Sequence, residues 1–214
     1  MTTPDKPFDP HAYWETRHVK LAGDLRNVGN RGLTADQNRD LITTKASIVC
    51  HALGLHGVRR GARLLDAGCG AGVFTEMLQQ AGFRMTGIDV SASAVENARR
   101  TGQAEYSNAT LSGYRPERPF DVVLCLDVLF HVVDDGEWAL SVGNLAGCVA
   151  PGGLLMFIET FDHTGLGSAP HVLWRRKEAY TPVLADAGFA VVDEVAFQYP
   201  HERVNKTLSI ARRA

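Results

Sequence analysis

Leu64-Leu65-Asp66-Ala67-Gly68-Cys69-Gly70-Ala71-Gly72 is the stretch that decides the fold. A short apolar run ends in an acid and passes into three glycines at alternate positions. This pattern fits a strand that turns sharply into a helix with a ligand against its backbone, because glycine has no Cβ and reaches positive φ freely. Bare amides at a helix N-terminus favour an anion. The carboxylate of Asp66 repels phosphate and is suited instead to an ammonium group or hydroxyls.

Outward from this turn, apolar strand-like runs alternate with helical patterns from about residue 61, which predicts βαβ units and a parallel sheet. Strands are expected at Arg63–Ala67, Met85–Asp89, Ala104–Ser107, Phe120–Leu126, Leu154–Glu159, Ala190–Phe197 and Thr207–Ala211. Helices are expected at Val73–Gln80, from Ser91 or Ser93 to Gly102, at Gly136–Val149 and at Lys177–Ala187. Ser93 with Glu96 reads as a capping box, and Pro151-Gly152-Gly153 as a turn. No helix separates the last two strands, so they should pair antiparallel at the sheet edge. The first residues, 1–58, are polar, with helices expected near His11–Lys20 and Thr34–Leu53. We read them as a helical lid over the carboxyl ends of the strands, where open α/β sheets bind ligands. Residues 59–214 form the main domain.

The glycines do not fit a dinucleotide site. GxGxxG requires glycine at Val73, or at Thr75 if the pattern starts from Gly70. A second acid, Asp89 in Thr86-Gly87-Ile88-Asp89-Val90-Ser91, ends the second strand. There it can accept hydrogen bonds from both hydroxyls of a ribose, or cap the next helix. Asp66-Ala67-Gly68-Cys69-Gly70-Ala71-Gly72, Gly87-Ile88-Asp89-Val90-Ser91, Phe120-Asp121-Val122-Val123 and Pro151-Gly152-Gly153 together resemble class I S-adenosylmethionine-dependent methyltransferases over about residues 60–212. The resemblance implies a Rossmann-like, doubly wound seven-stranded sheet with the last strand antiparallel, and S-adenosylmethionine as cofactor. It implies that Gly68, Gly70 and the turn amides face the methionine part, that Asp66 orients its ammonium group and that Asp89 binds the ribose, with Ala67, Cys69 and Val90 as further cofactor contacts. Asn108 and Ala109 would lie by the adenine, and Leu126 and Asp127 beside the methionine. Tyr13 and Arg17, at i and i+4 on one helix face, resemble residues near the cofactor carboxylate in small-molecule methyltransferases.

Methyl transfer needs a positioned acceptor and often a base. His131, just past the fourth strand, is the expected catalytic base, with Asp134 or Asp135 to orient it. The loop Phe161–Tyr180 gathers His163, His171, Arg175 and Arg176. With His131 these are the expected substrate contacts, and they favour an anionic small molecule such as a carboxylate, phosphate or phosphonate. Oxygen is the favoured acceptor. N-methylation of a small amine and a non-catalytic cofactor-binding protein are the alternatives.

The 214 residues carry a net charge of −2, which gives no basic excess for nucleic acid or acidic lipid. The Asn/Asp-Pro-Pro-aromatic motif of base-methylating enzymes is missing after the fourth strand, where Leu126-Asp127-Val128-Leu129 stands. No 18-residue apolar run is present, and the start Met1–Pro7 has no apolar signal core. Cys50, Cys69, Cys125 and Cys148 show no CxxC spacing; they read as buried reduced thiols of a cytoplasmic protein, and no metal site is expected. The chain is expected to act on its small molecule as a monomer or homodimer, with no nucleic-acid or membrane partner.

Overall fold

The computed structural model describes residues 8–167 and 169–214; the start Met1–Pro7 and Ser168 of the Phe161–Tyr180 loop lie outside them. Strands β1 (Arg63–Ala67), β2 (Arg84–Asp89), β3 (Glu105–Asn108), β4 (Phe120–Leu126), β5 (Val149–Glu159), β8 (Phe189–Gln198) and β9 (Asn205–Arg213) form one sheet in the order β3-β2-β1-β4-β5-β9-β8. The five strands from β3 to β5 run parallel, and β9 is antiparallel to both β5 and β8. The last strand therefore slots inside the sheet, and β8 takes the edge. Two short strands, β6 (Gly165–Leu166) and β7 (Leu173–Trp174), form a separate hairpin in the loop after β5.

Period-two alternation builds the two core layers. Leu65, Val123, Cys125, Leu155 and Phe157 point to one face, against α5 (Asp135–Gly147) and α6 (Lys177–Asp186). Leu64, Val122, Leu124, Leu154 and Met156 point to the other, against α2 (Ala35–Leu55) and α3 (Val73–Gln80). Helix α4 (Ala92–Thr101) packs Val95 and Ala98 on Tyr106 and Cys69. The C-terminal half of α2, with Val49, Ala52 and Leu53, is thus part of the core. The expected boundary at residue 58 falls just after a helix already built into it. No helix among the described residues is long and apolar enough to cross a membrane.

Of the two caps open for α4, Ser91 is the one, accepting from Ala94 N at 3.1 Å. Two local readings are corrected. Ser93 instead turns to Glu15 of α1 (Pro10–Lys20), so no Ser93–Glu96 box forms. Pro151-Gly152-Gly153 lies within β5, where the register against β4 shifts, and Gly152 takes φ 74°.

Candidate functional site

Above the carboxyl ends of β1, β2 and β4 lies a cavity of about 1220 Å³, walled by the glycine turn, the ends of these strands, α1, the start of α2 and the β6–β7 hairpin. The turn owes its shape to its glycines. At Gly70, φ is 53° and a Cβ would come within 2.3 Å of Val28 Cγ1; at Gly68, φ is 90° and a Cβ would come within 2.5 Å of Val128 Cγ2. Side chains there would fill the cradle.

Two buried carboxylates flank the turn. Asp66 accepts from Thr75 Oγ1 at 2.6 Å, and burial pushes its carboxyl up to about 6. Asp89 accepts from Gly70 N at 2.8 Å and from Ser91 N at 2.9 Å, which ties the end of β2 to the glycine turn. Burial raises its proton affinity, against the hydrogen bond from Ser91 and the neighbouring His18. The Cys69 thiol, also in the wall, is pushed up by burial and stays protonated.

Helix α1 closes one side. Glu15 accepts from Ser91 Oγ at 2.8 Å and Ser93 N at 3.3 Å, latching α1 to the N-terminus of α4. Arg17 donates to the carbonyls of Arg26 and Gly29, holding the segment that carries Val28 over Gly70. Tyr13 OH lies 3.2 Å from His171 Nε2, with the two rings stacked at 4.3 Å. Trp14 meets His131 edge-on at 4.8 Å.

His131 is half-buried, with Nδ1 2.8 Å from the carbonyl oxygen of His171. A carbonyl only accepts, so Nδ1 carries the proton and Nε2 is left as the acceptor. Burial, together with the nearby His171, Arg17 and Lys206, lowers its proton affinity to about 3. Neither expected orienting acid reaches it. Asp134 caps α5, accepting from Glu137 N at 2.7 Å, and Asp135 pairs with Arg175 at 2.9 Å.

Of the residues singled out in the sequence, Tyr13, Arg17, Asp66, Gly68, Cys69, Gly70, Asp89, Val90, Ala109, Leu126, Asp127, His131 and His171 line the cavity. Ala67 points into the core. Asn108 lies outside the wall, and its amide donates to the carbonyls of Asp89 and Val90 at 2.9 Å each. The basic run does not converge on the cavity. Arg175 is buried, with its guanidinium 4.7 Å from the Trp138 ring centroid, while His163 and Arg176 are exposed. The expected grip of Arg175 and Arg176 on an anion is therefore corrected: an ion pair to Asp135 and an aromatic face take Arg175 away.

Sequence reasoning missed the partners of Asp127. This residue adopts φ 61°, an uncommon conformation for a residue with a side chain. Its carboxylate is met by Lys45 Nζ at 2.7 Å, Lys206 Nζ at 2.9 Å and Tyr199 OH at 2.7 Å. Burial opposes its charge, yet Lys206 and Lys45 hold it well below the usual carboxylate range. Beneath it, burial raises Glu159 to about 8, a shift that Lys206 moderates. Unfolded Glu159 ionises near 4.5, so between about pH 5 and 8 unfolding releases its proton and stability falls as pH rises. Glu159→Gln should remove that slope. By pH 8 the variant should be more stable than the wild type by on the order of a few kcal/mol, read from thermal denaturation across that range; parallel curves would contradict the assignment.

Residues 38–194 match the sequence model of a family described as a methyltransferase domain. The chain belongs to this methyltransferase family. Among relatives of the methyltransferase, the ubiquinone biosynthesis O-methyltransferase of Caulobacter sp. (strain K31) is 39% identical over 114 residues, covering 49% of this chain and 42% of that protein. The chain thus matches less than half the length of that curated relative. Two solved structures share the fold over nearly their whole length. One is magnesium protoporphyrin IX methyltransferase from Synechocystis PCC 6803, with S-adenosylmethionine bound (TM-score 0.74, 20% identity, 99% of this chain and 100% of that one). The other is the N-methyltransferase NodS from Bradyrhizobium japonicum WM9, with S-adenosylhomocysteine bound (TM-score 0.69, 22% identity, 96% and 99%).

Proposed function

We propose that this methyltransferase uses S-adenosylmethionine to methylate an oxygen of a small molecule held in the cavity. The observation that carries the reading is Asp89, a buried carboxylate fixed to the Gly70 amide beside a cradle that admits no Cβ. The residues present suit the cofactor. Arg17 Nε and His18 Nδ1 are buried without partners, and both side chains line the cavity. In this reading Asp66, Gly68 and Gly70 hold the methionine part, Asp89 takes the ribose hydroxyls, and Val90 and Ala109 flank the base. When bound, S-adenosylmethionine supplies an activated methyl and a neutral leaving group.

The chain's own residues place the acceptor. His131 offers Nε2 to the acceptor's hydroxyl; because the ring holds a proton weakly, the proton passes on to water instead of staying. Trp14, Tyr13 and His171 exclude water from that side. Lys45 and Lys206 disfavour a protonated amine, which supports oxygen over nitrogen. Incubating the protein with S-adenosylmethionine carrying a labelled methyl and a panel of phenols, carboxylates and amines tests the reading. Label should appear on oxygen; incorporation into amines alone would overturn the oxygen assignment.

A further inference from the structure

The cavity ends in an ion cluster around Asp127, whose lysine and tyrosine partners no cofactor contact uses. Lys45, Asp127, Tyr199 and Lys206 all line the cavity. Two ammonium groups share the Asp127 carboxylate, at 2.7 and 2.9 Å. Lys206 is only 6% exposed. Two further acids stand near: Glu159, buried and holding its proton up to about 8, and Glu202, which lines the same cavity and accepts from Asn30 Nδ2 at 3.0 Å. Asp127 keeps Lys206 charged despite its burial, so two ammonium groups face the cavity and can receive the oxygen anion of a bound acceptor.

The surroundings define the body of that acceptor. The Lys206 ammonium lies 4.7 Å from the Phe130 ring centroid and 5.6 Å from that of Trp174. The Phe130 ring is 4.3 Å from that of His131, which stacks with His171 at 5.3 Å and meets Trp14 edge-on. This wall is aromatic and suits a flat ring. The charge at its end suits an oxygen anion on that ring.

We propose that Lys206 and Lys45 form the oxyanion end of the acceptor site, and that the acceptor is a hydroxylated aromatic compound bound as its phenolate. The proposal rests on the methyltransferase reading above. On binding, the phenol O–H bond breaks, the proton passes by way of His131 Nε2 to water, and the electron pair stays on oxygen beside the two ammonium groups. Asp127 is a positioning residue that holds both lysines.

The test uses the full chain, with S-adenosylhomocysteine present to block turnover and 4-nitrophenol as the probe, its yellow phenolate read by absorbance. The probe's half-ionisation pH should fall by about one unit or more on the wild-type protein, as expected for opposite charges within a few ångströms. Lys206→Met and Lys45→Met should each abolish the shift, and Lys206→Arg should keep it. An unshifted probe on the wild type, or a shift surviving in both methionine variants, overturns the proposal. So does 4-nitrobenzoate binding where 4-nitrophenol does not, since that marks a carboxylate acceptor. Calorimetry of S-adenosylhomocysteine on the same samples separates the two levels: no heat on the wild type overturns the methyltransferase reading, whatever 4-nitrophenol does.

Discussion

His131→Ala is expected to lower kcat about 100-fold while leaving the pH optimum in place. The loss follows from removing the Nε2 acceptor at the acceptor's hydroxyl, at the lower end of what a positioned proton acceptor supplies. The unchanged optimum follows from the ring's environment. Burial, reinforced by His171, Arg17 and Lys206, lowers the proton affinity of His131 to about 3. It therefore stays neutral through the working range, and its titration cannot shape the acidic limb of kcat/KM. If that limb reports a group near 6–7 and disappears in the variant, His131 is a general base that titrates, and the assigned relay role is wrong. Stability carries the same signature. A folded-state affinity below the unfolded value of 6.5 means that unfolding takes up a proton on acidification. The stability contribution of neutral His131 is present above pH 6.5 and is lost as pH falls toward 3, a loss that His131→Ala should not show.

Asp89→Ala is expected to weaken S-adenosylmethionine binding roughly 10- to 150-fold, corresponding to charge-assisted hydrogen bonds of about 1.5–3 kcal/mol. It should also lower the melting temperature, because Gly70 N and Ser91 N lose their acceptor in a buried place. Asp89→Asn separates the two effects. One carboxamide oxygen still accepts from a backbone amide, so stability recovers in part, while the loss of charge keeps the affinity low. Wild-type affinity in the alanine variant would remove Asp89 from the site.

Much of the fold was legible because the relevant signals are local. The apolar run before the glycines and the glycines themselves placed β1 at Arg63–Ala67 and α3 at Val73–Gln80. The Val-Val-Leu-Cys-Leu run placed β4 at Phe120–Leu126, buried on both faces. The Ser93–Glu96 capping box does not form because Glu15, 78 residues away, takes Ser93. Arg175 was misread because charge runs carry no sign of which member is buried. It lies over Trp138, a residue of α5 with no sequence link to the loop.

The cofactor half of the candidate site was readable for the same reason, with Asp66, Gly68, Gly70 and Asp89 each ending or opening an element. The acceptor half was not. Tyr199 reaches Asp127 across 72 residues, and Lys45 and Lys206 arrive from a helix and a strand whose patterns mark only core and surface. One trace existed. Lys206 opens the last strand, and an antiparallel last strand brings its start to the carboxyl ends of the parallel ones.

The most direct test of the account is calorimetric titration of the purified chain with S-adenosylmethionine. One saturable site is predicted, lost or strongly weakened in Asp89→Ala. No heat with S-adenosylmethionine, and binding of NAD in its place, would contradict it.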